Sequence, residues 1–582
     1  MNFEEMTKEE LIEYIKTLNE EQNGKYGLVW DKEKEPEQIV VECDKFIPVL
    51  EEQKDKNLDN GGENNILIEG DNFHSLSVLN YTHKEMIDII YIDPPYNTGN
   101  KDFIYNDRFV DIEDGYRHSK WLNFMQKRLK LARQLLKDDG IIMISIDDNE
   151  YAQLKLLCDS IFGENNLLSV QHIQVRYDNK SLNEKNDWQP VMEYVLIYAK
   201  NKFNFKANKP SDEYNIDKFI YSFEELTSGK EVIMGNKKVT IFKQGEWKIN
   251  KSPIGDVKLL KETWASGSVL KGNTSGKFFD LYISKRKDID GLNCLYKVEG
   301  IGEDGLGYRY FTGAQKETST RGKFYSGVPL DRLQELNDGS SKKYRPITNF
   351  YDFSGDFGNI RHEGGIGFNS GKKPIKMLKE FINYHMNKEA IVLDFFAGSG
   401  STGHAVLDLN NEDGGARKFI LCTNNESNIC EEITYSRIKN VIEGYENKEG
   451  LGGSLKYFKT EFVDYAGTKD QLYYDLTEKC IPMLCVKGET FVKEESNNEF
   501  AIYTNEDRTK YTCVYFDIFG LKFDEFLTKI KNISEKKYLY IFTLGDYIDT
   551  SVLQDVKDYT VEPIPYKIVE LYKKVVKMSK ED

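Results

Sequence analysis

Apolar positions along the chain follow two rhythms, with a stretch between them that follows neither. Leu122, Met125, Leu129, Ala132 and Leu136 recur at intervals of three and four, which predicts a helix from Trp121 to Leu136 with one buried face and a stop at Asp139-Gly140. Short apolar runs flank it: Ile66 to Ile68, Ile89 to Ile92, Ile141 to Ile146 and Tyr194 to Ala199, with a second helical pattern from Asn149 to Ile161. Strands alternating with helices in this way predict an α/β sheet covered on both faces. The rhythm lapses over residues 201 to 370, where Gly, Ser, Lys and aromatic residues interleave. It returns with a helical stretch from Pro374 to Tyr384, a strand from Ala390 to Phe395 and another from Phe419 to Leu421. One doubly wound sheet is thus written in two halves around an inserted domain. Near the start, a capping box at Thr7 and Glu10 leads into Leu11, Ile15 and Leu18, predicting a short amphipathic helix. The acidic stretch from Asp31 to Asn65 reads as a loosely ordered connection, and the Tyr- and Phe-rich runs after residue 450 as a further small unit.

Length and charge refine this outline. A chain of 582 residues exceeds one typical core several-fold, so a single small binding module is excluded. The boundaries that follow are an arm over 1–60, half of the sheet over 61–200, the insertion over 201–370, the other half over 371–450 and a C-terminal domain over 451–582. Net charge is −17, which taken whole argues against a polyanionic partner, but the average hides a contrast. Residues 1 to 60 carry 8 basic and 17 acidic side chains, whereas residues 201 to 370 carry 27 basic and 22 acidic. Apolar runs far shorter than the roughly 18 residues of a membrane span predict no membrane insertion. Eight scattered cysteines with no C-x-x-C pair predict a cytoplasmic protein with reduced thiols and no structural zinc. No histidine spacing suits a metal either, and His74, His83, His118 and His404 read as packing or surface residues.

Two motifs carry chemistry. Asp93-Pro94-Pro95-Tyr96 ends an apolar strand, where ligands gather in open α/β sheets. Its prolines fix φ and remove two N–H groups, leaving a rigid turn that offers a carboxylate, a backbone carbonyl and an aromatic face. Those groups suit an exocyclic amine on a planar base: Asp93 and the Pro94 carbonyl each accept one N–H, and Tyr96 stacks on the ring. The second motif, Asp394-Phe395-Phe396-Ala397-Gly398-Ser399-Gly400, follows a strand and opens a helix, so its backbone permits close approach of a ligand. With Gly403 it satisfies G-x-G-x-x-G, and one strand later Glu426 stands where an acid would hold ribose hydroxyls. Glycines and acid together imply a ligand with a ribose and leave open a dinucleotide or another nucleoside cofactor.

DPPY and FxGxG together resemble the defining motifs of the DNA methyltransferases that methylate amino groups using S-adenosylmethionine. DPPY preceding FAGSG, with the aperiodic segment between, is similar to the permuted β group of that family. The resemblance implies a Rossmann-like methyltransferase core with an inserted target-recognition domain. Asp93, Pro94, Pro95 and Tyr96 would form the catalytic turn, and Phe396, Gly398 and Gly400, within Asp394 to Gly400, the cofactor loop. Lys373-Pro374 would be the Lys-Pro preceding that loop, Glu426 the ribose-binding acid, and Asp71 the residue near the cofactor adenine, with Glu69 and Asn72 beside it. Further segments, among them Lys25 to Trp30, Ile68 to Asn72, Glu193 to Lys200 and Ile564 to Glu570, resemble the Mod subunit of type III restriction-modification systems. That likeness implies N6 methylation of a flipped adenine in duplex DNA, a homodimer and a restriction subunit as partner. N4-cytosine or RNA methylation, a free-standing methylase and a non-catalytic DNA-binding or assembly subunit are the competing readings. Phe103, Tyr105 and Trp121 are candidates to line a base pocket, Trp121 more naturally as core; Lys271, Lys277, Lys285, Arg286 and Lys287 are candidates for phosphate contacts.

Overall fold

A computed structural model describes residues 30, 37–43, 45–180, 187–213, 216–265, 274–302, 304–319, 321–329, 332–337, 341–367, 372–464, 468–517 and 519–580. The amphipathic helix expected around Leu11 to Leu18 lies outside them, as does Lys271. By internal contacts the chain divides into two compact units, one comprising Met1–Asn208 with Thr348–Asp582 and the other Lys209–Ile347.

The first unit is built on a ten-stranded mixed sheet. In chain order its strands are β1 (Phe46–Glu52), β2 (Asn64–Glu69), β3 (Ile87–Ile92), β4 (Leu136–Ile146), β5 (Leu167–Gln174), β6 (Met192–Ala199), β7 (Phe350–Asp352), β8 (Ile391–Asp394), β9 (Lys418–Thr423) and β10 (Ser454–Asp464). They lie in the order β1-β10-β2-β9-β8-β3-β4-β6-β5-β7. The run from β10 through β2, β9, β8 and β3 to β4 is parallel throughout. Every residue of β3 is buried, as a strand covered on both faces must be. Helices α1 (Asn72–Thr82), α2 (Arg117–Leu135) and α3 (Tyr151–Phe162) pack in sequence with one another, and so do α4 (Ile375–Ile382), α5 (Ser401–Asp413) and α6 (Ser436–Glu443). Helix α2 buries Leu122, Met125, Leu129 and Ala132, the stripe read from its periodicity, each worth roughly 1–3 kcal/mol in surface removed from water. The doubly wound α/β class expected from the sequence is therefore the class observed.

Three features differ from the sequence reading. The stretch from Asp31 to Asn65 is not merely a connection, because Phe46–Glu52 forms β1, antiparallel to β10 at the edge of the main sheet. Pro48 fits there because an edge strand leaves one row of N–H groups unpaired. β10 extends from Ser454 to Asp464 between β1 and β2, so the sheet continues past residue 450. At the other edge, Phe350–Asp352 pairs in parallel with β5, which assigns residues 348 to 367 to the first unit rather than to the insertion.

The second unit, Lys209–Ile347, contains an eight-stranded antiparallel sheet. Phe278, Phe279 and Ile283 pack into a core with Val239, Tyr296 and Phe311. A separate aromatic cluster gathers Tyr221, Phe223, Trp247, Tyr310 and Tyr325. Beyond β10, a five-stranded mixed sheet closes on a helix at Phe523–Lys531, and Tyr572 near the end of the described chain donates to the Pro48 carbonyl at 2.6 Å. Among the described residues no helix is long and apolar enough to cross a membrane.

Candidate active site

The strands β2, β9, β8 and β3 are neighbours, and all four end on the same edge of the sheet. Above their carboxyl ends lies a cleft of about 1250 Å³. It is lined by Asp71 and Asn72 after β2, Asp93 to Tyr96 after β3, Asp394 to Ser399 after β8, Glu426 after β9, and Lys373. Two of the expected residues stand just behind it: Pro374 caps the start of α4 and Gly400 the start of α5. Glu69 turns away, accepting from Tyr457 and from Lys459 at 3.1 Å.

The DPPY turn is held from below by specific hydrogen bonds. Trp121 is fully buried and donates its indole N–H to the Pro95 carbonyl at 2.7 Å, so it supports the turn rather than lining the cleft. Phe103 and Tyr105 do line it. After Tyr96 the chain takes a left-handed conformation at Asn97 (φ 58°), whose amide donates to the buried Glu150 at 2.5 Å. His118 sits 2.7 Å from the same Glu150 oxygen, so of the four histidines it is the one paired close behind the turn.

Around Asp93 the structure gathers three polar side chains. The Tyr96 hydroxyl lies 2.9 Å from Asp93 Oδ1 and 3.0 Å from Glu193 Oε2. The Lys373 ammonium donates to Tyr96 Oη at 2.6 Å and to Glu193 Oε2 at 2.7 Å, and stands 3.3 Å from Asp93 Oδ1. Burial raises the Asp93 carboxyl above the usual carboxylate range, an effect that Lys373 opposes and Glu193 reinforces. Burial works against the charge on Lys373 too, but Asp93 and Glu193 together outweigh it and hold the ammonium protonated above the usual lysine range. Sequence reasoning did not single out Glu193. It is the second residue of the antiparallel strand β6, whose pairing of Tyr194 with Ile146 brings its first residues to the edge where the parallel strands end.

The glycine-loop rim is held differently. Asp394 turns inward, accepting from the Phe396 N–H at 2.9 Å and the Thr402 hydroxyl at 2.6 Å, and burial raises it to about 7. Gly400 is left-handed (φ 75°), as the turn into α5 requires, and a Cβ there would meet Thr434 Cγ2 at 3.2 Å. The Thr434 hydroxyl donates to the Gly398 carbonyl at 2.5 Å. Asp71 caps α1 by accepting from the Phe73 N–H at 2.7 Å, and Arg128 donates to Asn72 Oδ1. Among the described residues no donor is bonded to the Glu426 carboxylate, which burial, with Asp71 and Asp107 nearby, raises above the usual range. Among the described residues no cluster of three or more His, Cys, Asp or Glu is arranged to hold a metal.

A family model described as DNA methylase matches residues 87–435, from β3 through the glycine loop to the segment holding Thr434. The chain belongs to this DNA methylase family. Among curated proteins it is 31% identical over 426 residues to the type III restriction-modification enzyme StyLTI Mod subunit of Salmonella typhimurium, covering 66% of this chain and 58% of that one. It is 29% identical to the EcoPI Mod subunit of Escherichia phage P1, covering 63% and 58%. It is 30% identical to the type II methyltransferase M.KpnI of Klebsiella pneumoniae, covering 69% of this chain and 89% of that enzyme. The chain thus spans somewhat more than half the length of the Mod subunits it matches.

Proposed function

We propose that this DNA methylase transfers a methyl group from S-adenosylmethionine to the N6 amino group of an adenine flipped out of duplex DNA, and that it is the modification and recognition subunit of a type III restriction-modification system. The observation that carries the reading is the adjacency of β3 and β8, which sets an amine-accepting turn beside a glycine loop in one cleft. The residues fit the cofactor. Glu426 is a carboxylate free for ribose hydroxyls, Gly398 and its neighbours leave the backbone bare, and Asp71 with Asn72 borders the remaining end for the adenine. Acidic residues Asp71, Asp93, Glu193 and Glu426 suit a cationic ligand. Bound there, the cofactor supplies an activated methyl group on a positively charged sulfur.

The chain's own groups do the rest. Asp93 and the Pro94 carbonyl accept the two amine N–H bonds and turn the nitrogen lone pair toward the methyl group, while Tyr96 offers its ring to the base with its hydroxyl already tethered. Lys373, expected from its motif to hold cofactor, is bound to the catalytic turn and acts there. The 209–347 unit is the target-recognition domain, the chain acts in the cytoplasm as a homodimer, and cleavage belongs to a separate restriction subunit. Nucleoside mass spectrometry of methylation-free DNA incubated with the protein and S-adenosylmethionine tests this. N6-methyladenine that is absent with Asp93→Ala is the expected result; N4-methylcytosine would overturn the base assignment, and no product from the wild-type protein would overturn the reading of the site.

A further inference from the structure

Methyl transfer to a neutral amine leaves one proton too many on the nitrogen, and the groups around Asp93 bear on where it goes. Asp93 and Lys373 alone would form a neutral pair, with the carboxylate already committed to an ammonium 3.3 Å away. Glu193 changes the count. Two carboxylates and one ammonium leave a surplus of one negative charge, the capacity for a single proton. The Tyr96 hydroxyl lies 2.9 Å from Asp93 Oδ1 and 3.0 Å from Glu193 Oε2, yet it has only one proton to donate. Whichever contact it leaves unserved becomes a hydrogen bond when the pair takes up one further proton.

We propose that Glu193 is a working part of the methyl-transfer site: with Tyr96 and Lys373 it forms a relay that carries the amine's surplus proton away from Asp93. The inference rests on the methyltransferase reading above. The amine lone pair forms the N–CH3 bond as the S–CH3 bond breaks, and the electron pair of that bond returns to sulfur, cancelling its positive charge. One N–H proton passes to Asp93 Oδ1. Tyr96 then hands its hydroxyl proton to Glu193 Oε2 while taking the proton from Asp93, and restores itself without ever holding a full negative charge. The positive charge lost at sulfur reappears as a proton on the carboxylate pair, so the total charge of the cleft is unchanged across the step. Lys373, fixed to both Tyr96 and Glu193, keeps the relay aligned.

The groups facing Glu193 are Asp93, Tyr91 and Tyr96 from β3 and its turn, Asp147 after β4, and Lys373 ahead of α4. Glu193→Gln keeps the shape but removes the surplus charge, leaving Asp93 paired with Lys373 alone. Single-turnover transfer at saturating S-adenosylmethionine and DNA should then fall about 100-fold on its pH plateau. In the free protein, Asp93 should titrate at lower pH by carboxyl carbon-13 NMR, because the like charge of Glu193 is gone. Adding Lys373→Met to Glu193→Gln restores one uncommitted carboxylate and should recover about tenfold of the lost rate, which a merely structural Glu193 would not allow. A Glu193→Gln plateau within about twofold of wild type, an unmoved Asp93 titration, or a double variant slower than Glu193→Gln would each overturn the relay. Wild-type protein that binds S-adenosylmethionine but methylates no DNA would instead defeat the underlying reading, before any variant is compared.

Discussion

The two rims of the cleft are built from neighbouring strands but on opposite plans. After β3 the turn is stiffened by two prolines and surrounded by ionisable side chains, with Asp93, Tyr96, Glu193 and Lys373 joined in one network. After β8 the loop is shaped by glycines, and its one acid, Asp394, is turned inward to hold the backbone. The first rim works through side-chain charge and the second through backbone shape. Damage to the first should therefore abolish chemistry and spare binding, and damage to the second should do the reverse.

The sharpest way to break the comparison is Asp93→Ala. Under the proposed function it removes the acceptor that orients the amine, so single-turnover methyl transfer should fall by about 1000-fold or more. Cofactor affinity, measured by calorimetry, should stay within about threefold, because the glycine rim is untouched. A parallel loss of affinity would mean that the two rims are not separable.

The next largest effect is expected across the cleft. Glu426→Ala removes a carboxylate that no donor among the described residues occupies, and charged hydrogen bonds of this kind are worth about 1.5–3 kcal/mol, or about 10- to 100-fold in affinity. Burial raises this carboxyl, so affinity in the wild-type protein should weaken as pH falls toward that raised value, and the weakening should vanish in Glu426→Ala. An acid dependence that persists in the variant would assign it to another group.

Gly400→Ala tests backbone shape alone. A left-handed residue with a Cβ costs about 1–2 kcal/mol, so cofactor affinity should drop about tenfold while the saturated rate is kept. Loss of rate at saturation would show that the loop also positions the reacting groups.

These contrasts explain what the sequence disclosed. Each motif is contiguous and directly follows an apolar strand, so DPPY and FAGSG could be placed at strand ends without knowing the strand order. Glu426 could be singled out for the same reason, as an acid just past β9, whereas Asp71 came into view only through the family resemblance. Glu193 was hidden because its relation to Asp93 depends on β6 running antiparallel, which no local pattern encodes. β1 was obscured by the acidic residues around it, and its partner β10 lies roughly 400 positions further along the chain. β7 is only three residues long and sits beside the insertion, too short to show a period of its own.

The smallest effect is also the most direct contrast between Asp93 and Asp394, the same residue type at the ends of adjacent strands. Asp93 has Lys373 beside it, whereas Asp394 has only neutral donors, so burial carries it to about 7 from an ordinary value of 3.8. For an acid raised on folding, the neutral form is the one the fold favours. Its contribution to stability is full below about pH 4 and is lost as pH rises through about 7. Asp394→Asn is neutral at every pH and keeps an acceptor for the Phe396 N–H. Relative to wild type, its melting temperature should therefore be nearly unchanged at about pH 4 and higher by a few degrees at about pH 8, with the difference growing between. A difference that does not vary with pH would show that Asp394 titrates normally, and that the glycine rim carries a working charge after all.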